Sequence, residues 1–186
     1  MEAPRSATKR SSAARLTIFA LITAVSALLA ACPFSYDLPL SSPADAVLDN
    51  GVSGRWKMKD PDSGHWVTIE LLRYNDKEYV AWSQEPQETA SKVVMYRVLA
   101  TVIGDERFLS VQELGTGGSR AWSYANYRVS GNTLSLRFVD EALFSSQAFD
   151  SSDALREFFR RNLHNPRLYM GDEGAESVMS WQRVSD

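Results

Sequence analysis

The chain has one cysteine and two histidines in 186 residues. Zinc ribbons, iron–sulfur sites and disulfide scaffolds each need several cysteines, so those classes are excluded. Histidine is the usual general base, and its scarcity counts against acid–base catalysis. Basic charge is also short: 20 Lys and Arg face 23 Asp and Glu, for a net charge of −3 and a pI near 5.5. A nucleic-acid-binding face needs a clear basic excess, so no nucleic-acid partner is expected. The length of 186 residues suits one domain of ordinary size with some chain left over.

What is present begins at the N-terminus. Arg5, Lys9, Arg10 and Arg15 form a basic stretch, and an apolar run from Leu16 to Ala31 follows, broken only by Thr17, Thr23 and Ser26. That is the layout of a secretory signal peptide. The run is shorter than the ~20 residues a permanent spanning helix needs, so residues 1–31 are expected to be removed. The segment ends in Leu29-Ala30-Ala31-Cys32, which resembles the bacterial lipobox. The resemblance implies cleavage just before Cys32 and a diacylglycerol carried on its sulfur, with palmitate-like chains as the membrane anchor. The only cysteine stands where the motif requires one, and a structural disulfide has no second thiol. Several acyl chains on one residue anchor stably, where a single chain holds only marginally. By similarity to proteobacterial lipoproteins, Pro33 in place of an aspartate directs the protein to the outer membrane, facing the periplasm.

Residues 1–31 hold four basic and one acidic side chain, so the processed chain keeps 16 Lys and Arg against 22 Asp and Glu, a net charge of −6. Attachment would then rest on lipid and not on a basic patch. Residues 32–50, with Pro33, Pro39 and Pro43, read as the lipidated cysteine and a flexible tether, Val47 and Leu48 being placed to pack on the base of the domain.

Residues 51–186 read as one mainly β domain. Val67, Ile69 and Leu71 alternate with Thr68, Glu70 and Leu72, the period of a strand with one wetter face. Similar runs cover 78–84, 92–103, 107–114, 122–130 and 133–139, separated by Asn75-Asp76, Gly104-Asp105, Gly115 to Ser119 and Gly131-Asn132. Gly131 opens a tight hairpin because glycine alone takes positive φ cheaply. Short turns between successive strands predict an antiparallel meander of about eight strands closing into a barrel, which removes exposed edges. One helix is predicted at 152–163: Ser151 or Ser152 caps it, and Leu155, Phe158, Phe159 and Leu163 form its apolar stripe. A last strand at 177–184 returns to the barrel, with the helix across one mouth or along one wall.

Gly54-Arg55-Trp56 matches the G-x-W of the lipocalin-like, or calycin, barrels, and the order of strands, helix and last strand is similar to theirs. The resemblance implies that Trp56 plugs the closed end while a late arginine packs across it, with Arg183 as its candidate. In that family the arginine usually precedes the helix, whereas Arg183 follows it. The whole chain is similar to small bacterial lipoproteins with a lipobox, a Pro-rich tether, G-x-W and a Leu-rich helix before the final strand.

Patterns of catalytic chemistry fail on inspection. Asp60-Pro61-Asp62-Ser63-Gly64-His65 lacks the glycine and glutamate positions of a calcium loop and reads as a hairpin turn. Gly115-Thr116-Gly117-Gly118-Ser119 precedes a strand, not the helix a phosphate loop requires. No G-x-S-x-G elbow exists, and Asp140-Glu141 and Asp172-Glu173 read as solvated charge. No catalytic residues, metal or cofactor are expected.

Aromatics recur along the strands: Trp56, Trp66, Trp82, Tyr96, Trp122, Tyr124, Tyr127 and Phe138. They either fill the barrel or line a pocket, for which Trp82, Tyr96 and Phe138 are the candidates. The expected function is a non-catalytic, lipid-anchored envelope protein supporting an assembly at the outer membrane through a protein partner. The alternative is a barrel that binds a small hydrophobic or amphipathic ligand. An open interior would favour binding, and a solid interior with an exposed apolar patch would favour interaction.

Overall fold

The computed structural model describes residues 37–185 apart from 62, 86–91, 116–120, 145–146 and 172–177. Residues 1–36, on which the signal-peptide and lipobox expectations fall, and most of the glycine-rich loop lie outside the described residues. Eight strands form one closed antiparallel barrel in chain order: β1 (Gly54–Lys59), β2 (Trp66–Arg73), β3 (Tyr79–Glu85), β4 (Lys92–Ile103), β5 (Glu106–Leu114), β6 (Trp122–Ser130), β7 (Thr133–Phe138) and β8 (Val178–Arg183). β8 closes on β1 through the pairs Trp56–Arg183 and Lys57–Gln182. Helix α1 (Ser152–Asn162) lies between β7 and β8 in the chain. Strands, helix and last strand therefore follow the predicted order.

The turns explain the meander. Gly104 and Gly131 have φ of 64° and 56°, conformations that L side chains enter only with strain. Asp60 closes the β1–β2 turn by accepting the Ser63 N–H at 2.8 Å, and Gly64 turns there with φ 70°. The Asp-Pro-Asp-Ser-Gly run thus serves the backbone.

Every strand sends one alternating set of residues to a common core: Trp56, Leu71, Tyr79, Ala81, Val98, Ala100, Leu109, Tyr127, Leu134, Leu136 and Trp181. That set defines the inside of the barrel. The outer face carries pairs such as Arg55–Glu70 and Arg97–Glu78. This polarity is the reverse of a membrane-spanning barrel, whose apolar face points outward around a polar lumen. No helix among the described residues is long and apolar enough to cross a membrane.

A second core lies outside the barrel. Leu99, Ile103, Phe108, Trp122 and Tyr124 point away from the interior and pack with Leu155 and Phe159 of α1, with Phe144 and with Leu40. Phe159 meets Phe108 and Tyr124 edge-on, with ring centroids 5.5 and 5.4 Å apart. The helix therefore runs along the β4–β6 wall. Its start is set by Ser151, whose side chain accepts the Ala154 N–H at 3.2 Å. Its outer face is charged: Arg160 and Arg161 both bond Glu157 and hold that carboxyl down to about 2.

Residues 37–50 of the segment read as a flexible tether pack as part of the fold. Leu40 and Ala46 are fully buried, Leu48 packs on the inner core, and Val47 bridges to Ala100. Prolines and serines suggest a linker, but Leu40 and Ala46 join the outer-wall core beside α1 and Leu48 packs against the inner one.

Candidate functional site

The closed end of the barrel is built by two side chains acting on three successive carbonyls. Trp56 Nε1 donates to Val52 O at 2.9 Å. Arg183 donates to Gly51 O at 2.6 Å and Ser53 O at 2.7 Å, and its guanidinium lies 4.1 Å from the Trp56 ring centroid. The chain turns beneath this pair at Gly54, whose φ is 129° and where a Cβ would stand 2.5 Å from Arg183 Nη1. Glycine is thus required for backbone conformation and for room. The register places Trp56 directly opposite Arg183.

Beside the pair stands a polar cluster that no sequence motif marks. Asp49 accepts the Tyr127 hydroxyl at 3.0 Å and the Gly51 N–H at 2.9 Å, and it pairs with Arg107. The Tyr79 hydroxyl donates to Asp49 O at 3.1 Å. Burial pushes the Asp49 carboxyl upward, but the bonds from Gly51, Tyr127 and Arg107 outweigh it and hold the group below its ordinary value. Burial first, and then the Asp49 charge, pushes Tyr127 well above the ordinary phenol range. Both phenols stay neutral, so the cluster is a clasp that holds the N-terminal segment across the barrel base.

Burial along the inner face is uneven. Tyr79, Tyr127, Trp56 and Leu134 are at most 3% exposed, whereas Met58, Val67, Tyr96 and Val111, Ile69 directly opposite Trp56 and Val129 near the base are only half-buried on the same inner face, and Val94 and Ser83 are buried. Polar groups on this stretch are few: Ser83 Oγ lies 3.5 Å from the Tyr96 hydroxyl. Trp181, directly opposite Leu134 and two residues before Arg183, carries a buried indole N–H with no hydrogen-bond partner.

Of the expected pocket residues, Tyr96 and Phe138 lie on the inner wall, Tyr96 opposite Ala81 and Phe138 opposite Ala125. Trp82 does not. It alternates with Ala81 and Ser83 and pairs with Glu70 and Met95, which puts it on the outer wall. Among the recurrent aromatics, Trp56, Tyr96, Tyr127 and Phe138 point inward and Trp66, Trp82, Trp122 and Tyr124 outward. His65 and His164 are both exposed, in a turn and just beyond the end of α1. Among the described residues no group of three His, Cys, Asp or Glu side chains is placed to hold a metal ion. Comparison with models of protein families, with curated proteins and with solved structures found no match to this chain.

Proposed function

We propose that this chain is a lipid-anchored protein of the bacterial envelope, without catalytic activity, whose barrel holds a small hydrophobic or amphipathic molecule in its interior. The observation that carries the reading is the uneven burial of the inner face: Trp56, Tyr79, Tyr127 and Leu134 are buried, whereas Met58, Val67, Tyr96 and Val111 on the same face are half-buried. A concave apolar wall with a few polar groups is the usual form of a small-molecule site. Tyr96, Ser83 and the unpartnered Trp181 indole N–H are the groups that would orient the polar end of an amphipathic guest. The uneven burial of the inner face supports binding over a role resting on protein partners alone.

Anchoring rests on the Leu29-Ala30-Ala31-Cys32 segment, with the outer membrane as the site and the periplasm as the compartment. The acyl chains on Cys32 hold the domain at the bilayer, and the barrel samples apolar molecules close to it. Native mass spectrometry of the protein extracted from its own membrane tests the binding reading, with crosslinking of a parallel sample. A copurifying small molecule whose occupancy falls in the Tyr96→Ala variant is the expected result. An empty wild-type barrel that crosslinks to one defined protein would overturn it. The anchor is tested separately: Cys32→Ser should move the protein from the membrane fraction to the periplasmic extract, and retention at the membrane refutes lipidation.

A further inference from the structure

The geometry points to the outer wall of β3–β5 as the face that rests on the bilayer, with the phospholipid surface itself covering the strip formed by Trp82, Val93, Met95 and Leu114. The inference rests on the reading of Cys32 as the lipid-bearing residue.

The strip is continuous. Trp82 pairs with Met95, and Met95 with Leu114, so the three stand side by side across three strands, with Val93 two residues along β4 on the same face. Val93, Met95 and Leu114 are 58, 47 and 46% exposed. Single apolar residues on a surface need no account, but a contiguous group marks a contact.

The short reach of the anchor selects the occupant. The N-terminal segment joins the barrel where Leu38 O accepts the Tyr124 hydroxyl and Leu40 N–H donates to Ser110 Oγ at 3.0 Å. Tyr124 and Ser110 are paired neighbours on the outer wall. Leu114 lies four residues beyond Ser110 on the same face of β5, about 13 Å away at ~3.3 Å per residue. Leu38 is six residues after Cys32, so a fully extended chain places the lipidated residue at most ~22 Å from Leu38. A domain of this length has a radius of gyration near ~15 Å and is therefore roughly 38 Å across. The chain is too short to pass around the domain, so the bilayer must meet the side on which Leu38 sits. The apolar strip is on that side.

The chemistry fits a zwitterionic surface. A processed chain with net charge −6 gains nothing from anionic head groups. Apolar side chains and an indole at head-group depth make the contact instead.

The test uses the lipidated chain with Met95→Cys carrying a nitroxide, in zwitterionic phospholipid vesicles; the acylated Cys32 sulfur does not react. Collision with a water-soluble nickel chelate is compared with the same label on the Cys32→Ser, Met95→Cys protein. Ser180→Cys, exposed on the outer face of β8, is the control. The expected result is a fall in nickel accessibility of fivefold or more at position 95 on anchoring, with less than twofold change at 180. A fall below twofold at 95, an equal fall at both positions, or shielding that develops only when envelope proteins are added overturns the inference and leaves the anchor intact. Absence of acyl groups on Cys32 by intact mass overturns the anchor reading and this inference together.

Discussion

Arg183→Ala should be among the most damaging substitutions in the chain, although the residue is only half-buried. The side chain makes two charge-assisted bonds, to Gly51 O and Ser53 O, and stacks on Trp56 at 4.1 Å. Hydrogen bonds to charged groups contribute about 1.5–3 kcal/mol each, and a cation–π contact about 0.5–2. Water can reach part of the vacated space and the contributions are not additive, so the expected loss is about 3–5 kcal/mol. Against a total of about 5–15 kcal/mol, that is a large fraction of the stability. For a domain of this size it lowers Tm by about 6–20 °C. Arg183→Lys keeps the charge but not the two-pronged geometry, and should fall between wild type and alanine. Gly54→Ala should also destabilise, and in the Gly54→Ala, Arg183→Ala double variant the steric part disappears while the cost of φ 129° remains. Urea unfolding of the Cys32→Ser protein measures all of these. A loss below about 1 kcal/mol for Arg183→Ala, or an Arg183→Lys protein as stable as wild type, would refute the clasp as the organiser of the closed end.

Asp49→Asn keeps an acceptor for Gly51 and Tyr127 but removes the charge facing Arg107; since that ion pair is half-exposed, the expected loss at pH 7 is about 1–2 kcal/mol. The folded-state carboxyl lies below its ordinary 3.8, so its contribution is complete above that value and is lost as pH falls through the depressed one. The gap between the two proteins in urea midpoint should therefore close on acidification, and a constant gap would argue against ionisation as its source. Phe159→Ala empties a fully buried position between two rings and should cost about 3–5 kcal/mol by denaturation, while Trp82→Ala on the outer wall should cost about 1 kcal/mol or less. In native mass spectrometry Tyr96→Ala should reduce ligand occupancy about tenfold, the equivalent of ~1.4 kcal/mol, and Trp82→Ala should leave it unchanged. Equal effects of the two would remove the inner wall from the proposed site.

The closing pair and the pocket residues differ in how far they could be read in advance. Gly54, Trp56 and Arg183 belong to a short local pattern and a late arginine, and the conformation the chain needs at Gly54 is already a property of that residue type. Trp82 was misplaced for a physical reason. In β3, Val80 and Trp82 on the outer wall are as apolar as Tyr79 and Ala81 on the inner. Residue type does not separate the faces, and only the register with β2 and β4 does. The Asp49 cluster had no pattern to find, since Asp49, Tyr79, Arg107 and Tyr127 are each unremarkable in their own segments.

The sequence by itself determined the order of elements, the turns, the helix with its serine cap and the single thiol, because each depends on neighbours a few residues apart. Strand alternation, positive-φ glycines and a helical stripe are local properties of the chain. Tertiary structure alone decided which aromatics face inward, that the proline-bearing segment after residue 37 packs as part of the domain, and that Asp49, Tyr79, Arg107 and Tyr127 meet beside the Trp56–Arg183 pair. Those outcomes depend on strand register and on contacts between residues tens of positions apart, where a shift of one residue would turn every side chain to the opposite face.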